Sequence, residues 1–288
     1  MNLLAVPNWS FGRDSELLRQ FEERLRRPEL TLHYLKSDVD HNRTVSAFAG
    51  DAQEVADALS DLCRLSFPRI DLNRHSGVHP RIGALDVCPI VDPSGSADPE
   101  SMRPWVTSVA LSLADEFELP VFLYEKSEQG RHEADLPALR RGGFGLLLER
   151  ELKPDFGPSR AHPRLGATVM GWRDFLVAMN VDLDEPDRSF AQQTAKEIRA
   201  LRSEGDHRFL GVRALGLALP SRGQSQVSLN VTLPDVTPID PIVEWVRDHA
   251  SRHGVRTAGI ELVGVLRDVD LEHATALPIK PEQVVTTR

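Results

Sequence analysis

Two stretches of this chain repeat one order of hydrophobic periodicities, and that repetition confines it to a duplicated α/β (α+β) architecture. In the second half, a strand over 175–183 leads to a helix over 187–203 with Phe190, Ala191, Thr194, Ile198 and Leu201 on one face. Strands over 209–219 and 224–233 follow, joined by the turn-forming Ser221, Arg222 and Gly223. The later strand alternates without a break: Val227, Leu229, Val231 and Leu233 point one way, and Gln226, Ser228, Asn230 and Thr232 the other. Asp240 followed by Pro241 reads as the cap and first-turn proline of a helix with Ile242, Val243, Val246 and Ala250 inward, ended by Gly254. A strand over 257–266 completes a β-α-β-β-α-β unit.

The first half gives the same order. A strand over 3–7 precedes a helix capped by Asp14 or Ser15, with Leu17, Leu18, Phe21 and Leu25 buried and Pro28 as its stop. Strands over 30–36 and 43–49 form a pair, and Asp51 with Glu54 reads as a capping box for a helix bearing Val55, Leu59, Leu62 and Cys63. A strand over 85–91 closes the unit. One further unit follows: Asp98 and Pro99 start a helix, kinked at Pro104, before an apolar strand over 120–124. Residues 125–164 are rich in glycine, proline and charge, with a turn of helix over 136–141, and a connection that long in a compact domain is usually functional or disordered. The expected organisation is two ferredoxin-like subdomains, 1–173 and 174–288, with a ligand channel where the polar faces of their sheets confront each other.

Composition narrows the function classes. With 288 residues, 41% of them hydrophobic, the chain can bury one large core or two moderate ones. No apolar run reaches the about 18 residues of a membrane span, and the opening residues lack the basic head and apolar stretch of a secretory signal, so a cytoplasmic protein away from membranes is expected. Two cysteines, Cys63 and Cys88, give neither a disulfide framework nor a thiolate cluster. A net charge of -9 argues against a general nucleic-acid surface while leaving room for an anion pocket built from a few arginines. The expected partners are small molecules.

A six-residue phrase occurs twice, His-Pro-Arg-Ile-Gly-Ala at 79–84 and His-Pro-Arg-Leu-Gly-Ala at 162–167, each bounded by glycine and proline. Such segments carry functional groups on irregular backbone, and we read the two as walls of one site. His79 is the first candidate for the reacting group, because imidazole takes and gives a proton near pH 7. His75, Arg74, Arg81 and Asp86 gather donors and a candidate orienting carboxylate around it. The four-residue spacing of His75 and His79 would suit two metal ligands on a helix, but Gly77 and Pro80 oppose that helix, and no metal is expected. Asp38, Asp40, His41 and Arg43 sit at one strand end; either Asp40 and Asn42 merely close a turn, or the group faces the site with Arg43 gripping a carboxylate in two-pronged fashion. Asn8 and Asn180 hold corresponding positions in the two halves, which suits an architectural amide or a substrate contact equally. Gln226, Ser228 and Asn230 form a polar rail on one strand face. Residues 153–167 add two prolines, Gly157 and Gly166, with backbone amides beside Arg160, His162 and Arg164 that suit an anionic or heteroaromatic ligand.

Taken together, these segments resemble the formiminotransferase domain. The likeness runs through VPNWSFGR (6–13), DVDHNRTV (38–45), RHSGVHPRIGALDVCP (74–89), PVFLYE (120–125), KPDFGPSRAHPRLGATV (153–169) and QVSLNVT (226–232). The resemblance implies two similar α/β halves around a folate-sized channel, commonly in a homodimer. It implies transfer of a formimino group from N-formimino-glutamate to N5 of tetrahydrofolate, without a metal. His79 would be the proton-transferring catalyst. Asn8, Asp38, Asp40, Arg43, Arg81, Gln226 and Asn230 would serve the substrate, and Gly157, Pro158, Ser159, Arg160, His162, Arg164 and Gly166 would form the folate-binding stretch. A separate cyclodeaminase is then the expected partner for ammonia release. Phe11 stands where the family motif has an acidic residue and Val78 where it has glutamate, which keeps two other readings open: a folate-dependent enzyme with another one-carbon donor, such as 5-formyl-tetrahydrofolate chemistry, and a noncatalytic folate-binding protein.

Overall fold

The opening strand is broken by its own proline. In the computed structural model, which describes residues 2–287, β1 (Asn2–Ala5) and β2 (Asn8–Trp9) are two pieces of one line interrupted at Val6 and Pro7. Pro7 has no N–H to give to a ladder, and this line lies inside the sheet with neighbours on both sides. The chain divides into two compact units between Arg173 and Asp174; residues 1 and 288 of the expected subdomains lie outside the described residues.

In the first unit, α1 (Ser15–Leu25), β3 (Leu30–Asp38), β4 (Arg43–Asp51), α2 (Ala52–Ser66) and β5 (Leu85–Val91) follow the expected order. The Asp14 carboxylate accepts the Leu17 N–H and seats α1, whose Leu17, Phe21 and Leu25 are buried at i, i+4 and i+8. Asp51 caps α2 by accepting from the Gln53 and Glu54 amides, but the expected reciprocal box is replaced by an ion pair from Glu54 to Arg27 at 3.2 Å. α3 (Pro99–Phe117) starts at Asp98 as expected and runs continuously past Pro104. After β6 (Val121–Leu123) come α4 (Leu136–Leu139), α5 (Gly143–Glu149) and β7 (Thr168–Trp172); α5 and β7 were not expected from the periodicity.

The sheet runs β3, β4, the β1/β2 line, β5, β7, β6, antiparallel as far as β5 and parallel from β5 to β7 and β6. Both faces of its parallel part are covered. Cys88, Val121, Leu123 and Met170 pack with α1, α2 and α3, whereas Val87, Phe122 and Val169 pack on the opposite side with Leu139, Leu147 and Leu152. That double covering is why every residue of β5 and β7 is buried, and it gives the long 125–164 segment a structural task.

The second unit has β8 (Val177–Leu183), α6 (Arg188–Ser203), β9 (Val212–Leu219), β10 (Gln224–Val231), α7 (Ile239–Arg252) and β11 (Thr257–Val263), in the antiparallel order β11, β8, β10, β9. Its order, last strand beside first, is that of β5, β1/β2, β4 and β3 in the first unit. Val227, Leu229 and Val231 are buried, as the alternation predicts, but Leu233 lies beyond the strand and is exposed. Gly216 lets α6 lie directly on β9: a Cβ there would stand 2.3 Å from the Gln192 nitrogen. The expected cap of α7 is corrected. The helix begins at Ile239, and Asp240 instead accepts from the amides of Thr275 and Ala276, anchoring the C-terminal segment. The described residues form an α+β fold with one mixed sheet, one antiparallel sheet and a short parallel pair, Leu266–Arg267 with Val284–Val285.

Candidate functional site

The first His-Pro-Arg loop lies against the turn of the β3–β4 hairpin. At that turn one Asp38 oxygen accepts from the Asp40 and His41 amides, at 2.9 and 2.8 Å, and Asn42 adopts a left-handed φ of 46°. Asn42 is the clasp: its Oδ1 accepts the Gly12 N–H, its Nδ2 donates to the Ser76 carbonyl, and its own carbonyl accepts from His75 Nε2 at 2.7 Å. The Val78 amide donates to the Asp40 carbonyl, and Gly77 packs so closely that a Cβ would fall 2.2 Å from the His41 oxygen. The loop after α2 is thereby held against the hairpin, with His79 beside Arg43, the first residue of β4.

Arg43 Nη1 lies 2.9 Å from His79 Nδ1 and 2.8 Å from Nε2, while its Nη2 donates to the Asn8 side-chain oxygen. His79 Nδ1 also lies 2.9 Å from the Pro80 carbonyl, which can only accept; a proton on Nδ1 satisfies that carbonyl and leaves Nε2 to accept from Arg43. The Arg43 Nε is buried without a hydrogen-bond partner. The His41 ring stands 5.8 Å from that of His79.

The pocket is short of negative charge. Burial, then repulsion from Arg140 and Arg81 against an opposing pull from Asp86, brings the Arg43 guanidinium down to about 9. His79 is held well below the ordinary histidine value by burial and by the charges of Arg43 and Arg140, so the ring is neutral at pH 7. His75 is pushed down to about 4, by burial first and Arg81 next.

Asp86 does not orient His79. It accepts the Ile82 and Gly83 amides at 2.7 and 3.3 Å and is ion-paired to Arg140. Arg81 folds back onto its own loop, donating to the carbonyls of Gly77 and His79. Arg140 follows α4, in a segment where the sequence offered no signal beyond a pair of arginines beside glycines.

The second triplet is close to the first but built differently. Gly83 and Gly166 form a bridge, the Ala84 amide donates to the Leu165 carbonyl, and the Ala167 amide to that of Ile82, because both phrases feed the adjacent parallel strands β5 and β7. His162, however, turns onto its own backbone: its Nδ1 accepts the amides of Arg164 and Leu165 at 3.1 and 3.0 Å. Arg164 donates to the Phe67 carbonyl at 2.7 Å. The two phrases meet at their Gly-Ala ends, and only His79 of the two histidines contacts Arg43, which corrects the picture of two equivalent walls. Gly157, at φ 81°, packs against the Leu119 carbonyl, and Pro158, Ser159 and Arg160 form an exposed turn after it.

In the second unit, Gln226, Ser228 and Asn230 share one face of β10, as the alternation predicts. Gln226 is buried and donates to Asp182 at 2.7 Å, whereas Asn230 is exposed. The structure therefore joins His79 and Asn8 through Arg43, keeps Asp38, Asp40 and Arg81 beside them in framework roles, and adds Arg140. Phe11, at the family's acidic position, is a core residue packed edge-on to Phe21 at 5.0 Å.

Comparison with known proteins places these features in a family. Residues 2–173 match the formiminotransferase domain, N-terminal subdomain, and residues 178–286 match the formiminotransferase domain. A glutamate formimidoyltransferase of Streptococcus pyogenes serotype M1 is 34% identical over 91% of this chain and 87% of its own length. A glutamate formimidoyltransferase of Thermoplasma acidophilum is 32% identical, with 91% and 87% covered. A formimidoyltransferase-cyclodeaminase of Sus scrofa is 34% identical over 91% of this chain and 49% of that protein. The chain belongs to the formiminotransferase domain family.

Proposed function

We propose that this protein is a one-carbon transferase that moves the formimino group of N-formimino-glutamate to N5 of tetrahydrofolate. The observation that carries the reading is a neutral imidazole, His79, in contact with a half-buried guanidinium, Arg43, whose buried Nε is a donor to spare. Both proposed substrates bear carboxylates, and a pocket holding Arg43 and Arg140 with Asp86 as their neighbouring acid suits such groups. The common strand order of the two units supports reading each as a ferredoxin-like subdomain.

In the proposed reaction, N5 of tetrahydrofolate attacks the formimino carbon and forms a tetrahedral intermediate. His79 accepts the N5 proton. The same ring then returns a proton to the departing glutamate nitrogen as its bond to carbon breaks, so no net proton is gained or lost. Arg43 and Arg140 fix the carboxylate end and hold the reacting atoms in register.

Mixing the purified protein with tetrahydrofolate and formiminoglutamate and following 5-formimino-tetrahydrofolate by absorbance tests this directly. Turnover no greater than that of a His79→Ala control would overturn it. Phe11 and Val78 favour a second reading, a different one-carbon donor, because neither side chain supplies the carboxylate of the family motif. Folate binding by calorimetry, with no dependence on formiminoglutamate, would select that reading.

A further inference from the structure

We propose that Arg43 keeps His79 from taking a proton until a carboxylate binds beside it, so that the base becomes competent only in a loaded site. The inference rests on the reading of His79 as the proton-transferring group and adds a regulation to it, with Arg43 as a positioning residue.

The argument is geometric. With Nδ1–H committed to the Pro80 carbonyl, a second proton must enter at Nε2, where Arg43 Nη1 already stands at 2.8 Å. An imidazolium there would set two half-buried cations in contact. The groups facing the ring do not relieve this. The hairpin turn offers His41, β4 offers Arg43, the loop itself offers Arg81 and the Pro80 carbonyl, and the segment after α4 offers Arg140. Asp86 of β5 is already bonded to Arg140 and two amides, and of the hairpin-turn acids Asp38 accepts the Asp40 and His41 amides with Asp40 beside it in the same turn.

Arg43 is equally unsettled. Its Nη2 holds Asn8, Nη1 rests on an uncharged ring, and Nε is buried with no acceptor. A ligand carboxylate would be gripped by the guanidinium fork, satisfy that orphan donor, and cancel the charge that opposes protonation of His79. Proton and anion then bind with positive coupling. By reciprocity, protonation of His79 strengthens anion binding by the same factor that the anion strengthens protonation.

The test uses the full chain and L-glutamate alone, so it does not depend on turnover. The ring of His79, assigned by comparison with His79→Ala, is titrated by NMR with and without glutamate. In the free protein it should titrate well below the ordinary histidine range; glutamate should raise its proton affinity by at least about tenfold, moving the titration toward that range. Arg43→Gln should titrate in that range without glutamate and ignore its addition, and Arg43→Lys, which keeps a cation and guards against misfolding of the neutral variant, should behave as the free wild type. An ordinary titration in the free protein, or no response to glutamate, overturns the inference. Failure of formimino transfer with the titration response intact would remove only the proposed donor; transfer without the response would remove only the gate.

Discussion

Replacing Asp86 by asparagine would strip the charge from the carboxylate that joins the His79 loop to Arg140 while preserving its shape. The side chains of Asp86 and Arg140 are 4% and 12% exposed, so the guanidinium left behind cannot be rehydrated in place. Removing one partner of such a buried pair costs about 3–5 kcal/mol. The first unit has 173 residues, a size at which each kcal/mol lowers the unfolding midpoint by roughly 2–4 °C, so a fall of about 10 °C is expected. Asparagine Oδ1 can still accept the Ile82 and Gly83 amides, which concentrates the loss on the ion pair. Denaturant unfolding of Asp86→Asn, Arg140→Met and the double variant closes a thermodynamic cycle. The double variant should be more stable than the sum of the single losses by more than about 1 kcal/mol, since it leaves no orphaned charge. Additivity within about 0.5 kcal/mol would refute the coupling and, with it, the assignment of Asp86 as a holder of the loop.

His162→Ala and His79→Ala should separate cleanly. The first orphans the amides of Arg164 and Leu165 and should cost about 1–3 kcal/mol in a denaturant titration, whereas the second should abolish transfer at nearly unchanged stability; equal stability losses would contradict the different roles. Gly166→Ala places a Cβ 1.9 Å from the Ile82 carbonyl at a φ of 74°, so the steric clash adds to the about 1–2 kcal/mol of left-handed strain. A thermal midpoint within 2 °C of wild type, on the order of 1 kcal/mol at this size, would show that the two loops are not locked there. Burial pulls His132 down, but its bonds to Asp155 and the Glu133 carbonyl outweigh that and hold the ring above 6.5. Its contribution is therefore full below the unfolded value of about 6.5 and lost as pH rises through the higher folded value. The stability gap between wild type and His132→Ala should shrink between pH 5.5 and pH 9, and a widening gap would reverse the sign.

Local patterns carried much of the architecture. Asp14, Asp51 and Asp98 each cap the helix that the sequence assigns to them, and Asp187, read as the first residue of its helix, proves to be its cap, because a cap is a contact between residues two or three apart. The failures were tertiary: α5 covers the second face of the parallel strands, β7 is fixed by pairing between β5 and β6, and Asp240 serves a distant segment instead of its own helix. The candidate site divides the same way. His79, Arg43 and Asn8 stood in readable motifs, but Arg140 joins them from 54 positions beyond Asp86.

Sequence alone determined the doubled order of elements, the starts of α1, α2, α3 and α6 and the presence of two His-Pro-Arg phrases, because each depends on residues close together along the chain. Only the tertiary structure decided which histidine meets an arginine and which turns onto its own backbone. The environment of an imidazole is set by whatever strand or loop is brought against it across space, and two nearly identical phrases placed against different neighbours become an imidazole–guanidinium contact and a structural knot.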